Sequence, residues 1–135
     1  METPTFKGGY NIALKIPKYQ YEKTLRFYRE VLGLDLKKES DVNYEESYSC
    51  RFGPIKLWLD RVDNYSKTDV WLELETSDME KAKDYLQSKE VHFRSELEKL
   101  PADLNAHWIS DPAGVVFLLK EISEKKLNEG SRISY

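Results

Sequence analysis

The sequence has very little cysteine, no long apolar run and no signal-like N-terminus. Its 135 residues include a single cysteine, Cys50, so a disulfide within the chain is impossible. No apolar stretch approaches the roughly 20 residues that a membrane-spanning helix needs. The N-terminal METPTFKGGY has neither the basic region nor the apolar region of a signal peptide. We therefore expect a cytoplasmic protein with no membrane partner.

A surplus of basic residues is also missing. The chain has 21 Lys and Arg against 24 Asp and Glu, a formal net charge of −3. Phosphate binding needs excess positive charge on one face, so we expect no nucleic-acid partner. The apolar share of 40% and the charged share of 33% are ordinary for a globular domain, and the length suffices for one hydrophobic core.

The first half of the chain predicts one strand, one helix and three strands. Residues 10–16 alternate apolar and polar side chains with a period of two, which indicates a half-buried strand. Residues 19–32 place apolar side chains at helical spacing, and Gly33 follows at the position of a C-terminal cap. Further strands are predicted at 34–40, 48–52 and 55–62.

The second half repeats this order of elements. A strand at 70–75 precedes a helix whose start, Ser77 to Glu80, has the sequence of a capping box. Strands at 91–96, 106–110 and 115–120 follow. We therefore expect one α+β domain built from two βαβββ modules. The modules span about 8–62 and 69–121, with a polar boundary at 63–68 and a polar tail at 122–135.

Four short motifs resemble a known superfamily. They are NIAL at 11–14, FYREVLGL at 27–34, SDME at 77–80 and DPAG at 111–114. In this order and spacing they are similar to the vicinal oxygen chelate superfamily, which includes glyoxalase I, extradiol dioxygenases and the bleomycin- and fosfomycin-resistance proteins. The resemblance implies two modules forming a curved sheet with a central cleft, a small-molecule ligand in that cleft, and a homodimer.

The same resemblance implies where a metal would bind. Metal-dependent members use His or Glu on strands one, four, five and eight, and the matching positions here are Asn11, Lys56 or Trp58, Trp71 and Leu118. Divalent metals prefer imidazole and carboxylate donors, so these residues are not a competent ligand set. We expect no metal and no other cofactor. The alternative is a site rebuilt from His107, Glu73 and Glu75.

Strand alternation predicts which side chains face the cleft. The face opposite the helices carries two tryptophans and several charges, which are costly to bury unless they are paired. One interpretation is structural: the charges pair across neighbouring strands and the tryptophans cover the sheet. The other is a ligand site with aromatic walls and polar anchors. The predicted ligand-binding residues are Asn11, Lys15, Lys56, Trp58, Asp60, Trp71, Glu73 and Glu75, with Tyr44, Tyr48 and Trp108 as weaker candidates.

Three functions are compatible with this pattern. The first is a metal-free protein that binds a small planar or cationic molecule, as in the bleomycin-resistance branch. The second is a superfamily enzyme of the lyase, isomerase or dioxygenase type, with Glu73 as its general base. The third is a structural or regulatory module whose cleft is filled by its own side chains or by a partner chain.

Overall fold

A computed structural model describes residues 3–40 and 46–122 of the chain. The chain divides into two compact units, with boundaries between Tyr10 and Asn11 and between Trp71 and Leu72. The middle unit is Asn11–Trp71, and the flanking unit comprises the residues before and after it. No helix in the described ranges is long and apolar enough to cross a membrane.

The middle unit is a mixed sheet with one helical segment on it. Its strands are β2 (Asn11–Ile16), β3 (Lys37–Lys38), β4 (Ser47–Phe52) and β5 (Ile55–Arg61). They lie in the order β3-β4-β5-β2, with the start of β6 (Asp69–Thr76) added beside β2. Strands β2 and β5 run parallel, and the other pairs are antiparallel.

Helix α1 (Lys18–Arg26) covers the apolar face of this sheet. Its Tyr21 and Leu25 are buried against Ile16, Leu57 and Leu59, which alternation places on one side of the strands. The Tyr21 hydroxyl donates to the Leu59 carbonyl oxygen at 2.5 Å. A π-helical turn continues α1 over Phe27–Val31, and the predicted C-cap is confirmed by the positive φ of Gly33.

The flanking unit contributes further strands of the same sheet and has its own helix. It contains β1 (Phe6–Gly8), the end of β6, helix α2 (Met79–Ser88), β7 (His92–Phe93), β8 (Ala106–Ser110) and β9 (Val116–Glu121). Strand β1 pairs antiparallel with β6, and the remaining strands follow in the order β6-β9-β8-β7. Met79, Ala82 and Leu86 of α2 pack on Ile109 and Leu119.

The DPAG motif at 111–114 forms the turn that precedes β9. The Asp111 carboxylate accepts from the Val115 amide at 2.8 Å, and Gly114 has a φ of +94° that suits glycine.

The capping box predicted at the start of α2 names the wrong cap residue. Asp78 rather than Ser77 caps the helix, because the Asp78 carboxylate accepts from the Lys81 amide at 3.1 Å.

The structure confirms the α+β fold class and corrects several bounds. The strands predicted at 34–40 and 91–96 shrink to Lys37–Lys38 and His92–Phe93, and β1 was not predicted. The assignment of 8–62 and 69–121 as two modules of one domain stays a prediction. Of the predicted tail, only Ile122 is described, and it is buried; residues 123–135 and the candidate Tyr44 lie outside the described ranges.

Candidate functional site

Six of the predicted ligand-binding residues share one face of the middle unit. In the parallel pairing of β2 with β5, Asn11 lies opposite Lys56, and Lys15 lies opposite Asp60. Between these pairs, Ala13 lies opposite Trp58 on β5 and opposite Trp71 on β6. We call this set the polar sheet face: Asn11, Lys15, Lys56, Trp58, Asp60 and Trp71.

One end of the polar sheet face is a buried ion pair. Lys15 and Asp60 are 1% and 2% exposed, and the Lys15 ammonium lies 2.8 Å from the Asp60 carboxylate. The hydroxyl of buried Ser47 donates to the other carboxylate oxygen at 2.5 Å. The ammonium also lies 4.3 Å from the centre of the Trp71 ring, and that indole donates to Asp69 at 3.0 Å. These contacts satisfy the buried charges and fix the side chains.

The other end of the face is partly open to solvent. Asn11, Lys56 and Trp58 are half-buried. The Trp58 indole N–H donates to the Asn11 amide oxygen at 2.7 Å, which fixes the ring plane. The Lys56 ammonium lies 4.1 Å from the Trp58 ring centre and 3.4 Å from the Glu39 carboxylate. A fixed aromatic ring with an amide at its edge and an ammonium over its face has the mix of aromatic and polar groups found in ligand sites.

Three residues that lie beside the polar sheet face were not predicted from the sequence. Ser47 and Ser49 lie opposite Asp60 and Trp58 on β4, and the Ser49 hydroxyl donates to Glu39. Their alternation with Tyr48 and Cys50 could have placed both serines on this face. Glu39 follows β3 outside any strand, so no periodic signal marks its direction.

Glu73 and Glu75, the remaining predicted residues, belong to the flanking unit. The backbone of Gly9 and Tyr10 closes over Glu73: the Gly9 amide donates to the Glu73 carbonyl at 2.9 Å, and the Tyr10 amide donates to its carboxylate at 3.0 Å. Lys120 on β9 lies 3.4 Å from the second carboxylate oxygen. The role of Glu73 as a general base stays a prediction.

Glu75 has an unusual environment for a carboxyl group. The residue is 2% exposed, and its Oε1 has no hydrogen-bond partner among the described residues. Burial, followed by the nearby Glu73 carboxylate, raises the pKa of Glu75, while Lys120 and Lys7 act in the opposite direction. Glu75 therefore favours its neutral form more than an exposed glutamate does.

The weaker candidates occupy different surroundings. Tyr48 packs against the helix-side core of the middle unit, with the Arg29 guanidinium 5.5 Å from its ring centre. Trp108 is buried on β8 opposite Leu118, and its indole donates to the Glu98 carbonyl at 2.9 Å. Tyr48 is therefore a core residue, whereas Trp108 lies on the face of β8 and β9 that carries Lys120.

The alternative metal site with His107 is not formed. His107 lies opposite Leu119 on the core side of β8 and β9, and its ring packs on Phe93 at 5.7 Å between centres. Lys120, which contacts Glu73, is on the other face of β9. Burial lowers the pKa of His107. His92 is exposed.

The donors at the expected metal positions do not fit a divalent ion. Asn11, Lys56, Trp58 and Trp71 supply one amide, one ammonium and two indoles, and Leu118 supplies no donor. Across residues 3–40 and 46–122, no three His, Cys, Asp or Glu side chains form a group that could hold a metal. We derive no chemical step through a metal.

Comparisons with known proteins agree with this fold. The model of the glyoxalase/bleomycin resistance protein/dioxygenase superfamily matches residues 14–119. Methylmalonyl-CoA epimerase from Mycobacterium tuberculosis superposes with a TM-score of 0.61 and 16% identity, over 95% of this chain and 96% of that chain. A superfamily member from Vibrio splendidus superposes with a TM-score of 0.58 and 16% identity, over 87% of this chain and all of that chain.

A third similar structure carries a metal. The Mn(II)-bound glyoxalase from Novosphingobium aromaticivorans superposes with a TM-score of 0.58 and 12% identity, over 88% of this chain and 40% of that chain. At such low identities the three structures establish the fold and leave the activity open. No curated protein sequence matches the chain significantly.

Proposed function

The chain belongs to the glyoxalase/bleomycin resistance protein/dioxygenase superfamily, and we propose that it binds a small planar molecule on its polar sheet face without a metal. The proposal depends on one arrangement, the half-buried Trp58 ring between Asn11 and Lys56. Aromatic rings offer a large flat contact area, and the hydrogen bond to Asn11 holds this ring in place before any ligand arrives.

The buried end of the face supports the open end. Lys15, Asp60 and Ser47 connect β2, β5 and β4 through their side chains, so the strands that carry Asn11 and Trp58 are held in one register. A site whose residues are fixed by supporting contacts loses less entropy when the ligand binds. We assign these three residues a positioning role.

The charge at the open end favours a neutral or anionic planar ligand over a cationic one. The Lys56 ammonium already lies over the Trp58 ring at the open end, and the Lys15 ammonium lies over the Trp71 ring at the buried end. A cationic ligand on either ring would have to displace the lysine there or lie beside its positive charge. An oxygen at the edge of a planar ligand would instead accept a charge-assisted hydrogen bond from Lys56.

Two further proposals concern the assembly and the location of the protein. We propose a homodimer, because the resemblance implies one, and a cytoplasmic location, because Cys50 leaves no internal disulfide to stabilise a secreted form. Sedimentation of the purified chain at several concentrations tests the first of these. A monomer at every concentration would remove it.

The binding test compares planar probes of different charge. We would titrate the chain with planar compounds of matched size, one anionic, one neutral and one cationic, and follow tryptophan fluorescence and heat of binding. The anionic and neutral probes should bind, and Trp58→Leu should weaken both about fivefold or more, since losing one stacking contact costs roughly 1–3 kcal/mol. Lys56→Met should weaken the anionic probe more than the neutral one.

The chain offers a matched control for the lysine. Lys89 lies 5.8 Å from the Tyr85 ring centre in the flanking unit, so it is another lysine above an aromatic ring. Lys89→Met should leave every affinity unchanged. The proposal is wrong if none of the probes binds, or if Trp58→Leu and Lys89→Met give the same affinities as the wild type.

A further inference from the structure

We propose that the flanking unit holds a separate binding site for a small carboxylate, in which Glu75 is the hydrogen-bond donor and Lys7 and Lys120 supply positive charge. This inference does not depend on the planar ligand of the polar sheet face. It depends on the burial of Glu75, on its unpartnered oxygen and on the groups around it.

The unpartnered oxygen of Glu75 is the first observation that supports the inference. More than nine in ten buried polar atoms have a hydrogen-bond partner, so each exception calls for an explanation, and a bound group that completes the hydrogen bonding is one. Glu75 Oε1 is such an exception within the described ranges, in a residue that is 2% exposed. Thr76 Oγ1 is another, but alternation directs Thr76 to the opposite face of β6.

Charged groups from three strands surround Glu75. Glu73 lies two residues earlier on the same face of β6. Lys7 on β1 is the cross-strand partner of Glu75, and Lys120 on β9 pairs with Glu73 at 3.4 Å. If Glu75 is neutral, one carboxylate and two ammonium groups remain, which leaves the group with one net positive charge.

This balance selects the chemistry of the ligand. A carboxylate brings one negative charge and an oxygen that accepts a hydrogen bond from the protonated Glu75. It also benefits from the two lysines, which would repel a metal ion or an organic cation. An ionised Glu75 would repel the same ligand, so binding should require the proton to stay on Glu75.

Binding of the carboxylate should therefore be coupled to protonation of Glu75. Above the pKa of Glu75, the Glu75 carboxylate must take up one proton each time a ligand binds. The affinity should therefore fall by up to tenfold for each unit that the pH rises. Below that pKa the affinity should level off. The plateau distinguishes this mechanism from simple attraction to the two lysines, which does not involve the Glu75 proton.

The experiment uses the full chain and a set of monocarboxylates from acetate to benzoate, each paired with its amide. Chemical-shift titrations between about pH 5 and 9 give the affinities. We expect at least one carboxylate to bind more tightly than its amide, with the pH profile just described. In Glu75→Gln the affinity should become independent of pH, because glutamine still donates a hydrogen bond and cannot lose the proton.

The control is Glu80→Gln, which changes an exposed glutamate at the start of α2. It should keep the wild-type pH profile. If Glu75→Gln does not fold, the chemical shift of the Glu75 carboxyl carbon can be measured by NMR in the wild type, with and without the ligand. The inference fails if no carboxylate binds, if Glu75→Gln keeps the wild-type profile, or if the Glu75 signal does not shift on binding. Trp58→Leu, which tests the other proposal, should leave this binding unchanged.

Discussion

Replacing Lys15 with methionine should destabilise the protein by about 3–5 kcal/mol. Lys15 and Asp60 are both almost completely buried, and their charged atoms lie 2.8 Å apart. Methionine keeps most of the aliphatic stem but removes the ammonium, which lies over Trp71. Asp60 would then be a buried carboxylate with only the Ser47 hydroxyl left as a partner among the contacts described.

The size of this effect follows from burial. Removing one member of a buried pair leaves an uncompensated charge in a low-dielectric environment, which is the costly case. A loss of this size would be a large share of a typical stability of about 5–15 kcal/mol. For a chain of this length it should lower the melting temperature by roughly 10–20 °C. Urea denaturation followed by circular dichroism gives the free energy of unfolding directly.

Two comparisons make the test specific. The double variant Lys15→Met with Asp60→Asn buries neither charge of this pair, so it should regain at least half of the stability that the single variant loses. Lys56→Met removes a partly exposed lysine, 14% exposed and 3.4 Å from Glu39, and should cost about 1 kcal/mol or less. The reasoning is refuted if Lys15→Met costs no more than Lys56→Met, or if the double variant is as unstable as the single one.

Three other changes have effects of known sign. Burial raises the pKa of Glu75, so its contribution to stability is fully present below the ordinary carboxyl pKa of 4.5 and is lost as pH rises through the folded-state pKa. Glu75→Gln should therefore raise the melting temperature near neutral pH and not near pH 4, which thermal scans across pH would check. Gly9→Ala should cost about 1.5–3 kcal/mol in urea denaturation, because a Cβ there would lie 2.2 Å from Glu73 Oε1, whereas Gly8→Ala meets nothing within 4 Å. Tyr21→Phe should cost about 1 kcal/mol, since it removes the hydrogen bond to a backbone carbonyl of β5; an unchanged free energy of unfolding would contradict this.

The sequence predicts the faces of the long strands better than the partners across them. A period of two in 10–16, 55–62 and 70–75 suffices to place Asn11, Trp58 and Trp71 on one face, because alternation is a local property of a strand. Which residues then pair depends on register, and a single sequence does not specify register. Alternation alone is equally compatible with Lys56 beside Asp60 and with Lys15 beside Glu73 or Glu75. The structure shows ion pairs of Lys15 with Asp60 and of Lys56 with Glu39.

Short elements were predicted less well for a related reason. β3 and β7 have two residues each, and β1 has three, so none is long enough to show alternation. They form because a neighbouring strand supplies hydrogen-bond partners. The same holds for Glu39, which lies just after β3 and reaches the site through Ser49 and Lys56. Glu39, the acidic partner of Lys56, was therefore outside the reach of periodicity.

The register of β2 on β5 connects stability with binding in the middle unit. Two polar contacts depend on it: Lys15 with Asp60 at one end of the pairing, and Asn11 with Trp58 at the other. A slip of one residue would turn the apolar side chains of β5 onto this face and break both contacts together. Each contact therefore stabilises the geometry that the other needs. It follows that Lys15→Met should weaken a ligand stacked on Trp58 although Lys15 lies at the buried end of the face, and that restoring the charge balance with Asp60→Asn should recover affinity in parallel with stability.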